Sequence, residues 1–421
     1  MNRFFYSLLL YLALPFVPLK LLWRGIKQPA YRQHWGERFG FYNIKITKPI
    51  IWLHCVSVGE TRAAEPLVKA LQTQYPQHQI LLTHGTPTGR DASEALFGDN
   101  IQSAYLPYDL PFAVNHFLMH FQPKIGLIME TELWFNLIAA CKQKQIPLLL
   151  LNARLSEKSF NGYAKLGQLV RDGLQNLSAI AAQTTDDAAR LQNLGAQNIS
   201  VAGNLKFDVK PPADGVVKGV QLRALLGENR TIFLAASTRE GEEALILEAI
   251  KSLDIVTVIV PRHPQRFDEV EALIKNAGWS YMRRSNLHEP INKHASINKN
   301  VQIILGDSMG EMFTYYAACD FSFIGGSLLP FGGQNLIEAA VIGLPILIGP
   351  HTFNFAEASR DALAAGAAFL VKDAASLKER ILELSNNIAL RQLMAKSALD
   401  FSAASAGATA RLMKLIEKYL H

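Results

Sequence analysis

Short runs of apolar residues alternate along this chain with longer stretches in which apolar residues recur at helical spacing. Uninterrupted apolar runs are typical of parallel strands that are buried on both faces and joined by helices. A first series of strands is predicted at residues 49–56, 79–83, 101–106, 125–129, 147–152, 179–183 and 199–203, with a helix over residues 61–73. A second series is predicted at residues 231–236, 256–260, 301–305, 321–324 and 345–348, followed by helices to the C-terminus.

The two series of strands are separated by a segment rich in proline, glycine and charge, residues 206–217. This composition favours a linker. We therefore predict an α/β protein with two Rossmann-like βαβ domains facing a central cleft, in which ligands bind at the carboxyl ends of the strands. The predicted boundaries are an N-terminal segment at 1–27, a first domain at 28–205, the linker, and a second domain at 218–421.

The N-terminal segment is nearly all apolar over residues 4–19, although Pro15 and Pro18 interrupt it. It is shorter than the ~20 residues that a spanning helix needs, and no small-residue cleavage site follows it. The pattern predicts a short membrane anchor or an interfacial helix, with the bulk of the chain on the cytoplasmic side; a buried apolar helix is the alternative. The basic residues that would face anionic headgroups are Lys20, Arg24, Lys27, Arg32 and Arg38.

Composition narrows the possible partners. Of 421 residues, 49% are hydrophobic and 19% are charged, and the net charge of +6 favours an anionic partner such as a phosphate or an acidic lipid surface. The sequence contains no RNA-binding signature and no paired zinc ligands, so nucleic acid is not predicted as a partner. The three cysteines lie far apart in apolar stretches, which favours buried thiols in a reducing compartment over disulfides or a zinc site.

Acidic residues follow two strands of the first series. Glu60 comes after the strand at 49–56, where Gly59 is predicted to permit a tight turn, and Glu130 and Glu132 follow the strand at 125–129. The carboxyl end of a strand is where a general base belongs in an open α/β sheet. Glu60 is thus a candidate base, and its alternative role is to complement the helix dipole. One of the other two carboxylates could instead cap a helix.

Basic and hydroxyl side chains follow other strands of the first series. Thr86 and Arg90 stand at a predicted helix start, where they would form either a phosphate cradle or an ordinary capped turn. Lys206 lies at the domain junction. It could offset negative charge on a leaving phosphate, although a single lysine in a linker is more often only solvated.

The second series carries glycine loops between strands and helices. After the strand at 321–324, Gly332 and Gly333 form a loop, Asn335 is the predicted N-cap, and Glu338 could accept hydrogen bonds from ribose hydroxyls. This arrangement predicts a nucleotide-sugar site, with an ordinary βα turn as the alternative. Candidate donor groups elsewhere in the series are Arg262 as a bidentate anion ligand, His263 as a hydrogen-bonding residue, and the glycine-flanked loop 306–312.

These segments occur in an order that resembles one known family. Residues 56–60, 86–90, 130–134, 203–208, 261–264, 307–311 and 335–338 follow one another as in the Kdo transferases of lipopolysaccharide synthesis, where Kdo is 3-deoxy-D-manno-octulosonic acid. The N-terminal apolar segment matches as well, so the resemblance covers essentially the whole chain. It implies a GT-B glycosyltransferase attached to the cytoplasmic face of the inner membrane. Gln334 departs from the family, in which histidine is frequent at this position.

The resemblance also implies substrates and residue roles. The donor would be CMP-Kdo, and the acceptor would be the tetra-acyl lipid A precursor, lipid IVA. Transfer would proceed with inversion and need no metal or other cofactor. Glu60 would be the general base, Glu130 and Lys206 would support the transition state, and Thr86 with Arg90 would bind the acceptor. The implied donor-binding residues are Arg262, His263, Met309, Gly310, Glu311, Asn335, Leu336, Ile337 and Glu338.

Two other functions remain open from the sequence. A GT-B enzyme that uses a different nucleotide sugar, either a lipid glycosyltransferase or an epimerase, would share the glycine loop and Glu338. The combination of Glu60, Glu130 and Lys206 favours the Kdo transferases over it. A non-catalytic lipid-binding module would not need an unpaired carboxylate such as Glu60 at a strand end.

Overall fold

The computed structural model describes residues 1–287 and 300–420. The strands are β1 (Ile50–His54), β2 (Gln79–His84), β3 (Gln102–Tyr105), β4 (Ile125–Met129), β5 (Leu148–Ala153), β6 (Ala179–Ala182), β7 (Ile199–Val201), β8 (Ile232–Thr238), β9 (Val256–Pro261), β10 (Tyr281–Arg283), β11 (Ile303–Leu305), β12 (Phe321–Ile324), β13 (Ile346–Ile348) and β14 (Ala368–Leu370).

The helices that precede β8 are α1 (Arg3–Ala13), α2 (Phe16–Lys27), α3 (Trp35–Arg38), α4 (Val58–Ala63), α5 (Glu65–Gln74), α6 (Pro87–Phe97), α7 (Pro111–Phe121), α8 (Phe135–Gln143), α9 (Glu157–Ala164), α10 (Gln168–Asn176), α11 (Thr185–Asn193) and α12 (Ala213–Leu226). Those that follow it are α13 (Glu242–Ala249), α14 (Phe267–Asn276), α15 (Met312–Ala318), α16 (Ile337–Ile342), α17 (Ala356–Ala364), α18 (Ala374–Asn386), α19 (Ile388–Ser405) and α20 (Ala408–Glu417).

The chain divides into two compact units, each built on a seven-stranded parallel sheet. Unit 1 contains Met1–Asp208 and the C-terminal residues from Ala406, and unit 2 is Val209–Ser405. The strand order is β3-β2-β1-β4-β5-β6-β7 in unit 1 and β10-β11-β9-β8-β12-β13-β14 in unit 2. The order reverses between β1 and β4 and between β8 and β12. Ligands of open α/β sheets bind at such switch points, beyond the carboxyl ends of the strands.

The unit 1 sheet is buried on both faces because its strands are apolar at successive positions. Ile50 and Trp52 of β1 pack into one core cluster, and Ile51 and Leu53 pack into another on the opposite face. The Trp52 indole donates a 2.8 Å hydrogen bond to Thr83 Oγ1, which satisfies its buried N–H group. This two-sided core explains why uninterrupted apolar runs predicted the strands correctly.

The predicted elements need three corrections. The helix predicted over residues 61–73 is interrupted at Ala64, since Pro66 cannot donate the backbone hydrogen bond that would continue α4 into α5. The edge strands β10 and β14 were not predicted, because they are short and only partly buried. Helices therefore do not run without interruption from β13 to the C-terminus.

The domain boundaries also differ from those predicted. The 3-10 turn Leu205–Asp208 lies in unit 1 and α12 begins within the predicted linker, at Ala213. Residues from Ala406 return to unit 1, where α20 contributes Leu412 and Ile416 to the core cluster that contains α5. Asp208 accepts hydrogen bonds from the Gly407 and Thr409 backbone N–H groups at the start of α20. The last helix of the chain is thus part of the first unit.

The N-terminal apolar segment forms α1 and α2. Within the described part of the chain, no single helix combines the length and apolarity of a membrane crossing; α1 and α2 meet both criteria only as a pair, bent by 57°. Two side chains of α1 bind to other parts of unit 1: Tyr6 OH donates to Asp109 (2.9 Å), and Ser7 Oγ donates to Asn136 (2.9 Å). The exposed apolar residues of the pair are Phe4, Phe5, Leu8, Leu9, Tyr11, Leu12, Phe16, Leu19, Leu22, Trp23 and Ile26.

One basic residue assigned to the membrane-facing set is not at the surface. Arg38 is 5% exposed, and its guanidinium lies 3.9 Å from the centre of the Tyr105 ring. It also donates a hydrogen bond to the Gly85 carbonyl at 3.2 Å. Arg38 is a packing residue of unit 1, because its planar group stacks well on an aromatic ring.

Candidate functional site

Glu60 lies at the switch point of the unit 1 sheet. Ser57 caps α4, and its hydroxyl accepts from the Glu60 N–H group while donating to Glu60 Oε1 at 2.9 Å. Glu60 Oε2 accepts from the Val56 backbone N–H at 2.8 Å. The carboxylate is therefore fixed at the end of β1, in the first turn of α4, where it also complements the helix dipole. Its role as a general base stays a prediction. Gly59 was expected to form the turn, but it lies inside α4 without a positive φ.

Three glutamates cluster at this point because β1 and β4 are neighbours. Burial raises the pKa of Glu60 to about 7, and repulsion from Glu130 and Glu132 adds to the shift. Burial also raises the pKa of Glu132 to about 7, with a further contribution from Glu130. A carboxylate with a pKa near neutrality is well suited to accept a proton from a hydroxyl group.

Glu130 and Glu132 lie between β4 and α8. Neither caps α8, whose N-cap is Trp134 and which has no side-chain cap. Glu130 adopts a left-handed backbone with φ of 56°, a costly conformation for a non-glycine residue and one that recurs at functional sites. Glu132 was not assigned a role from the sequence; its proximity to Glu60 follows from the strand order.

Thr86 and Arg90 lie at the end of β2. Thr86 is the N-cap of α6, where it accepts from the Gly89 N–H group and donates to the Val56 carbonyl. Arg90 contacts both carboxylate oxygens of Glu37 (3.0 and 3.2 Å) and Glu94 Oε1 (3.0 Å). Thr86 thus forms the predicted capped turn, and an acceptor phosphate at Arg90 would share it with two carboxylates. The acceptor-binding role of both residues stays a prediction.

Lys206 lies in a turn that buried amides hold in place. Asn152, at the end of β5, accepts the Leu205 backbone N–H on its side-chain oxygen at 3.0 Å. Gln183 donates to the Asn152 carbonyl (3.0 Å) and accepts from Asn204 (3.0 Å), whose oxygen in turn accepts the Lys206 N–H (3.0 Å). This amide network fixes the Lys206 backbone at the carboxyl end of the unit 1 sheet, and the role of the Lys206 side chain stays a prediction.

In unit 2, Arg262 and His263 follow β9. Arg262 Nε donates a 3.1 Å hydrogen bond to the side-chain oxygen of Gln334, the residue that departs from the family pattern. Burial, followed by the nearby Arg239 and Arg262, lowers the pKa of His263. This shift favours the neutral imidazole, and the interpretation of His263 as a hydrogen-bonding residue stays a prediction.

The loops after β11 and β12 contain the other predicted donor residues. Met309 is exposed, Gly310 has a φ of 81°, and Glu311 pairs with Arg284 at 3.2 Å. The helix after β12 begins one residue later than predicted, with Leu336 as its N-cap. Asn335 still accepts the Ile337 N–H (3.0 Å) and donates to Glu338 (3.1 Å). Leu336 and Ile337 are fully buried, and their role in donor binding stays a prediction.

The sequence did not single out the segment after β8, although it lies at the switch point of this sheet. Arg239 follows β8, and its guanidinium lies 4.5 Å from the centre of the Phe331 ring. The buried carboxylate of Glu242 accepts from the backbone N–H groups of Arg239 (2.9 Å), Gly326 (2.6 Å) and Leu328 (3.0 Å). Glu242 thereby holds the loops after β8 and β12 in one arrangement. The only signal in the sequence was that Arg239 also follows a predicted strand.

Gly325 is required by this arrangement of loops. A Cβ atom at Gly325 would lie 2.4 Å from the Ser237 carbonyl oxygen and 2.7 Å from Thr238 Cα, both of them backbone atoms that cannot rotate away. We expect Gly325→Ala to destabilise unit 2 by about 1–3 kcal/mol, as overpacked substitutions do. Thermal melting would measure this. Gly162→Ala in α9 is the control, because its Cβ would meet no atom within 4 Å; equal melting of the two variants would contradict the argument.

Among the described residues, no group of three His, Cys, Asp or Glu side chains is arranged to hold a metal ion. The three cysteines are unpaired and buried, as the sequence predicted. A metal-independent reaction remains an expectation from the resemblance.

Comparison with known proteins first defines the class. The chain has the GT-B glycosyltransferase fold, as in a glycosyltransferase from Rickettsia africae (TM-score 0.58, 16% identity, covering 89% of this chain and 98% of that one). MurG of Acinetobacter baumannii has the same fold (TM-score 0.56, 15% identity, covering 88% of this chain and 100% of that one). At these identities the similarity establishes the fold alone.

The sequence comparisons then define the family. The profile of the 3-deoxy-D-manno-octulosonic-acid transferases matches residues 33–209. The 3-deoxy-D-manno-octulosonic acid transferase of Bordetella pertussis is 42% identical over 96% of each chain, and that of Haemophilus influenzae is 37% identical over 100% of this chain and 99% of its own. The chain therefore belongs to the Kdo transferase family and is a glycosyltransferase.

Proposed function

We propose that this protein transfers Kdo from CMP-Kdo to a sugar hydroxyl of the lipid A precursor, lipid IVA. Family membership supports the Kdo donor, and one observation supports the chemistry. Glu60 is a fixed, half-buried carboxylate with a pKa of about 7 at a switch point, which is the property that a general base needs at neutral pH.

In the proposed reaction, the acceptor hydroxyl oxygen attacks the anomeric carbon of Kdo while Glu60 takes up its proton. The bond between that carbon and the CMP phosphate oxygen breaks, and its electron pair leaves with CMP. Attack opposite to the leaving group inverts the anomeric configuration, through an oxocarbenium-like transition state. Arg262 would offset the charge on the leaving phosphate, so that no metal ion is required, and Lys206 would support the transition state. Glu130 would stabilise the positive charge that develops on the sugar.

The N-terminal helices support attachment to the inner membrane. Tyr6 and Ser7 of α1 form hydrogen bonds with the rest of unit 1. Large apolar side chains of both α1 and α2 are exposed. We propose that the pair lies in the interface of the cytoplasmic leaflet, beside a lipid acceptor, with Lys20 and Arg24 near anionic headgroups.

The test is a transfer assay with lipid IVA and a donor screen that compares CMP-Kdo, generated during the reaction, with UDP-sugars. We expect product mass to increase by one or more Kdo units with CMP-Kdo only. Transfer from a UDP-sugar would favour the other GT-B enzymes considered above. Binding of lipid IVA without turnover of any donor would favour a non-catalytic module.

The pH dependence of transfer follows from the pKa of Glu60. The base acts in its deprotonated form, so kcat/KM should rise with pH and level off above about 7, and it should fall about tenfold for each pH unit below that value. Measurement of kcat/KM from pH 5.5 to 8.5, with the donor-generating enzyme in excess, would test this. A profile that stays flat down to pH 5.5 would mean that Glu60 is not the base or has an ordinary pKa.

A further inference from the structure

We propose that Arg239 binds the carboxylate of the acid sugar in the donor, while Arg262 serves the neighbouring phosphate. This inference rests on the proposed function and extends it to a residue that the sequence resemblance does not assign. In a nucleotide-activated ketosugar acid, the carboxylate and the phosphate oxygen are bonded to the same anomeric carbon. The enzyme therefore needs two cationic groups close together, one for each anion.

The contacts around Gly326 provide such a pair. A Cβ atom at Gly326 would lie 3.1 Å from Gln334 Nε2 and 3.5 Å from Arg239 Cγ, so both side chains pass directly over this residue. Gln334 holds Arg262 through the Nε hydrogen bond at 3.1 Å. Arg239, Gln334 and Arg262 thus form one continuous group at the switch point of the unit 2 sheet, and the absent side chain at Gly326 gives Gln334 and Arg239 the room to lie over it.

The guanidinium of Arg239 is held in a position from which it could bind a carboxylate. Its guanidinium is positioned over the Phe331 ring, and its backbone is fixed by Glu242. An arginine stacked in this way can present its planar edge for two parallel hydrogen bonds to a carboxylate. Its Nε is buried and forms no hydrogen bond with the protein.

The present partner of Arg239 is a weak one. Glu240 lies 3.5 Å from both Nε and Nη2 and its side chain is 54% exposed, so this ion pair contributes little and a ligand carboxylate could replace it. A donor without a carboxylate would leave Arg239 with this contact alone. Arg239 therefore gives a physical reason for discrimination against the neutral nucleotide sugars used by other proteins of the same fold.

The test uses a stable donor analogue in which a methylene group replaces the oxygen between phosphorus and the anomeric carbon, prepared as the free acid and as the C1 carboxamide. Calorimetry on the full chain would measure the affinity of both, and of CMP. We expect the wild type to prefer the acid by about 10- to 100-fold, the range of a hydrogen-bonded charge pair, and Arg239→Met to lose this preference. CMP, which has no sugar carboxylate, should bind both proteins equally.

Arg380→Met is the matched control, because Arg380 also lies over an aromatic ring (Phe369, 4.4 Å) in unit 2 and pairs with one exposed glutamate. It should keep the wild-type preference. If the melting curve shows that Arg239→Met is poorly folded, Arg239→Lys replaces it. Arg239→Lys should still prefer the acid over the carboxamide, but by a smaller factor than the wild type.

Equal weakening of acid, carboxamide and CMP binding by the Arg239 variants would overturn the proposal and make Arg239 a phosphate ligand or a packing residue. A wild type that binds neither analogue but binds a UDP-sugar would overturn the proposed function itself. The two outcomes are distinguishable, because failure of the proposed function is seen in the wild type, whereas failure of the Arg239 proposal is seen only in the Arg239 variants.

Discussion

Glu60→Gln should reduce the rate of transfer by about 10²- to 10⁴-fold, the range that a positioned general base contributes. Glutamine has nearly the same shape and can still accept the Val56 N–H and contact Ser57, so the loss would report the missing base rather than a displaced helix. The measurement is kcat for transfer to lipid IVA at pH 8. Glu65→Gln, a neighbouring change in an exposed pair with Lys69, should leave kcat unchanged.

Glu60→Gln should also change how the stability of the protein depends on pH. Because the folded-state pKa of Glu60 is about 7 against an ordinary 4.5, the native protein loses stability as pH rises from about 4.5 to 7. Glu60→Gln removes that loss, so it should melt above the wild type at pH 8, with the difference vanishing near pH 4.5. A residual rate close to that of the wild type would contradict the proposed base, whatever the melting behaviour.

Arg266→Met should cause the largest loss of stability among single changes in unit 2. Arg266 forms two parallel hydrogen bonds to Glu243 (2.7 and 3.0 Å), and the Glu243 side chain is only 1% exposed. Without Arg266, the buried carboxylate would retain, among the described residues, only the Thr238 hydroxyl as a hydrogen-bond partner. Breaking one side of such a pair costs about 3–5 kcal/mol, which lowers the melting temperature by roughly 10 °C for a unit of this size.

Calorimetry of the full chain would measure this shift in the transition of unit 2. Arg380→Met is the control, since its ion pair with Glu383 is exposed on both sides and should contribute less than about 1 kcal/mol. The double variant Arg266→Met/Glu243→Leu should recover part of the loss because it leaves no unpaired charge. If the double variant is no more stable than Arg266→Met, the unpaired carboxylate is not the cause.

The sequence predicted most of the sheets and the position of Glu60, because both depend on local pattern. Buried strands are apolar at most of their positions, and residues directly after a parallel strand lie at its carboxyl end wherever the strand sits. The pKa of Glu60 could not be predicted, since it depends first on burial in the folded unit and then on Glu130 and Glu132, which β4 brings beside β1. Strand order is a long-range property that local pattern does not contain.

Arg239 was missed for the same reason. Its neighbours Gly326 and Phe331 follow β12, which lies next to β8 although β9, β10 and β11 come between them in the chain. The interpretation of Gly59 failed for a different reason: a glycine after a strand predicts a turn, but here the helix had already begun at Val58. Composition alone could not identify 206–217 as partly helical.

The return of α20 to unit 1 has a consequence for biosynthesis. A ribosome delivers β1 to β7 early, but the apolar side chains Leu412 and Ile416 that complete their core emerge only after all of unit 2 has been translated. Until then, the surface that receives α20 is uncovered, and the partners of Asp208 are missing. Unit 2 is thus topologically an insertion, and a nascent chain that stops within it carries an incomplete first unit, whereas Val209–Ser405 contains its whole sheet in one continuous stretch.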